Sequence, residues 1–174
     1  MEQESTAEKP TVMSTSLRFG AIMALIGIAF MMMLIAMGSN PFDRDWKNWI
    51  PTVISIVLVV FSHKHFKDKG DGFMSYGQGL GIGFLSVFFS VLVGDLFSFI
   101  YINFVDSGVM DEVWQKTQEQ MEQQGQSEEA IEMGLKWGKM LFWPFYLLGG
   151  AFGALVIGLI VSIFTQKKNP EPFA

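Results

Sequence analysis

YGQGLGIGFLSVFFSVLVGDLFSFIYINFV, residues 76–105, is thirty residues long and carries one formal charge, Asp95. A helix rises ~1.5 Å per residue, so about 20 apolar residues cross a ~30 Å hydrocarbon core and this stretch more than suffices. It has almost no polar face to turn towards water. Three other blocks behave alike: Phe19 to Met37 is uncharged over nineteen residues, Leu141 to Thr165 over twenty-five and Trp49 to Ser62 over fourteen. The last spans only with help from its flanks. Half of the 174 residues are hydrophobic. A soluble helical core would spread them periodically, whereas here they are bunched.

The expected fold is therefore all-α: an integral membrane four-helix bundle with an extramembrane amphipathic helical hairpin between the third and fourth spans. Residues 1–16 read as a flexible polar tail, residues 17–168 as one membrane domain and residues 169–174 as a short C-terminal tail. The spans fall at about 17–37, 46–65, 76–105 and 141–165, with the hairpin at 107–140. In the hairpin, Val109, Val113, Trp114, Thr117 and Met121 recur at helical spacing. Gly125 ends the first arm, and Ser127 with Glu128 and Glu129 starts the second. Asn40 and Pro41 read as the cap and first residue of a new helix. Trp46, Trp49 and Trp143 read as interface anchors. The leader contains Glu2, Glu4 and Glu8 and precedes an apolar block too long for a signal peptide, although Ala36-Met37-Gly38 has the form of a cleavage site.

Four spans put both termini on one side. That side holds seven basic residues (Lys9, Arg18, Lys64, Lys67, Lys69, Lys167, Lys168) and the other five (Arg44, Lys47, Lys116, Lys136, Lys139). The positive-inside rule places the termini in the cytoplasm, in a multi-pass protein of the cell inner membrane. The net charge of −5 argues against a nucleic-acid partner. The chain has no cysteine, which removes disulfides, thiolate metal sites and cysteine nucleophiles.

Within the third span, GQGLGIGF does not fit a dinucleotide loop, because no register gives G-x-G-x-x-G and no strand precedes it. On a helix, Gly77/Gly81 and Gly79/Gly83 are each four apart. The fourth span answers with Gly149/Gly153, Gly150/Ala154 and Ala154/Gly158. Such small-xxx-small faces let two backbones approach closely, within one subunit or between subunits. Asp95 is the one intramembrane charge, a functional candidate by default. Its distance from Ser75 puts it in the outer third, facing the bundle and paired, with Arg44 or Lys47 as the nearest basic candidates and Ser98 one turn along. His63 and His65, two apart, do not chelate a metal from one helix; with Lys64, Lys67 and Lys69 they read as a solvated basic cluster facing anionic lipid.

Two strings bracket the third span: Phe73-Met74-Ser75-Tyr76-Gly77-Gln78-Gly79 at its start and Ser98-Phe99-Ile100-Tyr101-Ile102-Asn103-Phe104-Val105-Asp106 at its end. They resemble a membrane-protein family known as domain of unknown function 4199, found in Bacteroidota. In that family a short basic loop leads into F/MS-[FY]-G-x-[AG], and the helix leaves through S-x-I-Y-x-x-F-[IV]-D. The resemblance covers roughly residues 15–168 and implies four spans and an inner-membrane location. Ser107 stands where members often carry proline, and the extra glycines make this third span smoother than most. No activity comes with the resemblance.

The leading functional expectation is a non-catalytic accessory, assembly or structural membrane component, with no catalytic, cofactor or metal residues. Its partners are the lipid bilayer and either a second copy or another membrane protein. The alternative is a small transporter or channel-like oligomer using Asp95 and the glycine-rich face.

Overall fold

Thr11 decides where the chain first becomes helical. In a computed structural model, which describes residues 9–43 and 45–169, the Thr11 hydroxyl accepts from the Ser14 backbone N–H at 3.0 Å while Ser14 Oγ accepts from Thr11 N–H at 3.0 Å. This reciprocal capping box starts α1, Val12–Ala36. The expected tail is thus too long, since Val12 to Ser16 are helical and Thr15 and Ser16 are buried. Polar composition misleads here because a helical hydroxyl satisfies itself, as Ser16 Oγ does by donating to Val12 O at 2.7 Å. Residues 1–8 of that tail lie outside the described residues.

Gly38, at φ +70°, ends α1. Ser39 N–H reaches Leu34 O and Gly38 N–H reaches Ile35 O, both at 2.9 Å, a Schellman motif. Asn40 and Pro41 do not open a helix. Asn40 Oδ1 accepts from Phe42 N–H at 2.9 Å, and its Nδ2 donates across the loop to Val109 O at 2.6 Å. A single 3-10 turn, Trp46–Trp49, precedes α2, Ile50–Lys69, with Pro51 in its first turn. The second span is therefore shifted toward the C-terminus from its expected 46–65. Ser75 and Gln78 form another capping box that starts α3, Tyr76–Phe104.

The largest departure lies beyond α4, Gly108–Gln123. The second hairpin arm and the fourth span are one continuous helix, α5, Glu128–Thr165, 38 residues long and running through Pro144. Proline removes one backbone bond and costs about 3 kcal/mol in a helix interior. The aromatic packing around it holds the rod together. The Phe142 ring meets Trp114, Phe42 and Tyr146 at centroid distances of 5.8, 5.8 and 5.5 Å. At its far end α5 is tied to the loop before α3 by reciprocal Met74–Lys167 backbone bonds of 2.9 Å.

Helix α3 is the centre of the bundle, with α1 and α5 on its two flanks and α2 packed across all three. Helices α1, α2, α3 and α5 are long and apolar enough to cross a membrane. The α3–α5 crossing is made of the smallest residues. A Cβ on Gly83 would stand 2.9 Å from Gly158 Cα, and one on Gly158 would stand 2.9 Å from Phe84 N. Gly79 faces Ser162, and Ala154 is fully buried. Gly150 lies against Val91 and Gly81 against Val12 of α1, whereas Gly77, Gly149 and Gly153 face open space. Gly20, which belongs to none of the small-xxx-small pairs, lets α1 reach α3: its Cβ would meet Ser86 O at 2.8 Å.

Two substitutions separate these environments. Gly158→Ala forces its methyl group against the α3 backbone and is expected to lower the thermal midpoint by several degrees. Gly153→Ala meets nothing within 4 Å and is expected to raise stability by ~0.5–1 kcal/mol. Parallel melts in one mild detergent check this. Equal tolerance of both would mean that α3 and α5 are not in contact there.

Candidate functional site

The bundle holds two polar regions, one on each side of its middle. On the termini side, Val59, Ser62, His63 and Phe66 of α2 follow the i, i+3, i+4, i+7 spacing of one helix face, and all four are buried. His63 is fully enclosed. Its Nε2 lies 2.9 Å from Gly79 O on α3, and its Nδ1 lies 2.6 Å from Thr165 Oγ1 on α5. A carbonyl only accepts, so Nε2 carries the hydrogen, and the single Thr165 hydroxyl hydrogen lies between Nδ1 and Val161 O, which is 2.8 Å from Oγ1. Lys67 Nζ donates to Thr165 O at 2.8 Å, at the C-terminal end of α5 where a cation is favoured. The expected solvated basic cluster is thus corrected. His63 joins three helices, His65 packs on Phe19 at 5.6 Å, and only Lys64 and Lys69 stay exposed. The charge run hid the helical stripe that would have revealed the buried histidine.

On the hairpin side the helices part around a cavity of about 410 Å³ with walls from α1, α2, α3 and α5. Met31, Thr52, Ser55, Ser90, Asp95, Ser98 and Tyr146 line it, and Pro41 and Phe42 close it from the loop. A second cavity of about 370 Å³ lies along α3 and α5, sharing Val91, Asp95, Tyr146, Gly149 and Gly150 with the first and adding Phe145. Asp95 stands where the two meet.

Asp95 is nineteen residues beyond Tyr76 at the start of α3, ~28 Å along the helix. Its carboxylate does not pair as expected. Oδ2 is buried and has no hydrogen-bond partner. Ser98 Oγ donates to Gly94 O at 2.8 Å and approaches Met31 Sδ at 3.2 Å. Lys47 Nζ is held by Asp45 and Ser39, each at 3.1 Å. Arg44, the other candidate, lies outside the described residues. The loop cation is neutralised by its sequence neighbour before it can reach α3.

The same local neutralisation joins the loop to the hairpin. Lys116 Nζ lies 2.9 Å from Asp43 and 2.7 Å from Glu112, and Asn40 Nδ2 donates to Glu112 at 3.1 Å. The Lys116 and Asn40 hydrogen bonds hold the Glu112 carboxyl below its ordinary value, and Lys47 does the same for Asp45. Asp43 and Glu112 raise Lys116 above the usual lysine range. Trp46 and Trp49 are exposed at the start of α2. Trp143 packs edge-on against Phe99 at 5.4 Å. Among the described residues no three His, Asp or Glu side chains come together as a metal site would require.

The loop–hairpin latch has a defined pH window. A depressed carboxyl lends stability above its ordinary value and loses it as pH falls through the lowered one. A raised lysine lends stability below its ordinary value and loses it as pH rises past that. The latch is therefore complete between the ordinary glutamate value of 4.5 and the ordinary lysine value of 10.5. At pH 7, Lys116→Ala is expected to speed amide exchange across α4, with the buried part of α3 unaffected. Unchanged protection of α4 in that variant would show that the latch holds nothing.

Residues 18–167 match the sequence profile of a family described as protein of unknown function, DUF4199. No curated protein and no solved structure matches the chain.

Proposed function

We propose the following role for this chain, which belongs to the DUF4199 family: a multi-pass component of the cytoplasmic membrane that does no chemistry of its own and holds a binding cavity in its hairpin-side half. The observation that carries this reading is the buried Asp95 oxygen without a partner, on the wall of a cavity built by four helices. An intramembrane carboxylate is costly, and a site that retains one uses it. The other polar groups lining the cavity are serine, threonine and tyrosine hydroxyls. That set favours binding over catalysis, since none of these hydroxyls is hydrogen-bonded to Asp95 or to a histidine as an activated nucleophile would be.

The membrane placement is supported by the outward face. Leu25, Phe104, Phe152 and Phe164 are exposed, while Ser62, His63, Ser86 and Ser162 are fully buried. A bilayer as solvent favours this inverted distribution. The excess of basic residues on the termini side supports cytoplasmic termini. Gly79, Gly83 and Gly158 already pack inside the bundle, so a second copy or another membrane protein would meet the outer faces instead. Transport is the second reading, and Asp95 favours it. A path across the bundle would have to separate the Gly83–Gly158 contact and the His63 bridge, so it would need a moving bundle rather than a fixed pore.

A chain without cysteine makes the cavity directly testable. In detergent, Ser90→Cys on the cavity wall is expected to react with N-ethylmaleimide roughly tenfold or more faster than Ser86→Cys, fully buried one turn earlier. Equal protection of the two thiols would overturn the cavity. Reporter fusions after Asp68, after Gln120 and at the C-terminus test orientation separately. The first and last are expected inside and the middle one outside, and any other pattern overturns the topology.

A further inference from the structure

The chemistry of the cavity wall narrows what it accepts, an inference that rests on reading the cavity as a binding site. We propose that the cavity takes the head of an alkylammonium amphiphile, whose tail lies in the groove between α3 and α5.

The one formal charge on the wall is negative. Asp95 Oδ2 is unpartnered. The Ser98 and Ser55 hydroxyls already donate to Gly94 O at 2.8 Å and Pro51 O at 2.9 Å, which leaves oxygen lone pairs for a ligand. Thr52, Ser90 and Tyr146 add hydroxyls that can donate to a ligand, but an anion would have to lie beside the carboxylate, whereas a cation meets its charge. Lys47 and Lys116 are engaged by Asp45, Asp43 and Glu112, so the cation that satisfies Asp95 comes from elsewhere.

Aromatic rings select the kind of cation. Phe30, Phe42 and Tyr146 all line the cavity, and the Phe42 and Tyr146 rings stand 5.6 Å apart, tilted by 60°. Tilted aromatic faces beside a carboxylate attract an ammonium head. A bare metal ion needs several converging oxygens, commonly from unwound backbone carbonyls. Helix α3 is unbroken through Asp95 and keeps its carbonyls in the helix. The volume of about 410 Å³ lies within the usual small-molecule range of ~300–1,000 Å³.

The groove provides for the tail. It shares Val91, Asp95, Tyr146, Gly149 and Gly150 with the cavity and continues past Phe145. A Cβ on Gly149 would meet nothing within 4 Å, so the groove floor there is bare backbone beside open space. A molecule arriving from the bilayer would enter along this flank with its tail in the groove and its head at the carboxylate.

The test uses the full chain in a neutral maltoside detergent, with bound probes counted by native mass spectrometry. Dodecyltrimethylammonium is expected to saturate at one per chain, and dodecanol at the same concentration is not expected to displace it. Asp95→Asn is expected to weaken binding roughly 30-fold or more, since it removes one partner of a buried charge pair. Its melting temperature, expected to equal or exceed that of the native chain, shows that the fold survives. Phe145→Ala tests the tail independently: Phe145 lines the groove and not the cavity, so its loss is expected to weaken dodecyltrimethylammonium by roughly tenfold and to leave tetramethylammonium unchanged. Equal binding to the native chain and Asp95→Asn, or displacement by dodecanol, would overturn the proposal. If no probe binds while the Ser90→Cys thiol still reacts, the ligand class falls and the cavity stands. If that thiol is protected, both fall.

Discussion

Everything in this bundle is arranged around the closeness of α3 and α5. Where Gly83 meets Gly158, the two backbones approach to a distance that no side chain could share. In lipid there is little hydrophobic drive between helices, so packing contact and hydrogen bonds have to hold them. A glycine crossing supplies that contact over a short length only. Close on one side of the middle, the helices separate on the other, where Gly149 and Gly153 face open space. The cavity follows from the crossing, because two helices that meet this tightly at one level diverge at another.

The two polar regions show what that divergence does. On the termini side a hydrogen-bonded network crosses the bundle, with Thr15 Oγ1 the buried hydroxyl it does not reach. His63 bonds across α2, α3 and α5, and Lys67 closes the last carbonyl of α5. On the hairpin side the room is larger and the matching incomplete, so Asp95 Oδ2 is left over. A fully satisfied network fixes one arrangement of its helices, whereas an unsatisfied group is a standing cost that a ligand can offset. The bridged half therefore serves as the frame, and the open half is where the proposed ligand would act on stability.

Much of this was legible in the residues. The block from Tyr76 marks a spanning helix by length alone, and the Ser75–Gln78 cap sets its start. The spacing of Gly79, Gly83 and Gly158 announces a close crossing. The unpaired state of Asp95 was not legible, because it depends on where Lys47 lies, and a neighbour two residues away captures that lysine first. The enclosure of His63 was hidden by Lys64, Lys67 and Lys69, whose charges dominate any reading of composition there. The continuity of α5 was hidden by Pro144, a helix breaker by propensity that aromatic packing overrides. The last two share a cause: each depends on contacts between segments far apart in the chain, whereas the capture of Lys47 is local and is decided by side-chain geometry.

That continuity has a mechanical meaning. Helix α5 begins in the hairpin at Glu128 and ends at Thr165, beside His63. Sixteen residues separate Glu128 from Pro144, a lever arm of ~24 Å at helical rise. Its natural fulcrum is Pro144, two residues before Tyr146 on the cavity wall, where one backbone bond is missing. A partner that grips the hairpin and swings it would turn this arm about the proline. The torque would arrive at Tyr146 and Gly150 while the glycine crossing below stayed clamped. In the proposed membrane setting the hairpin would be a handle geared to the width of the cavity.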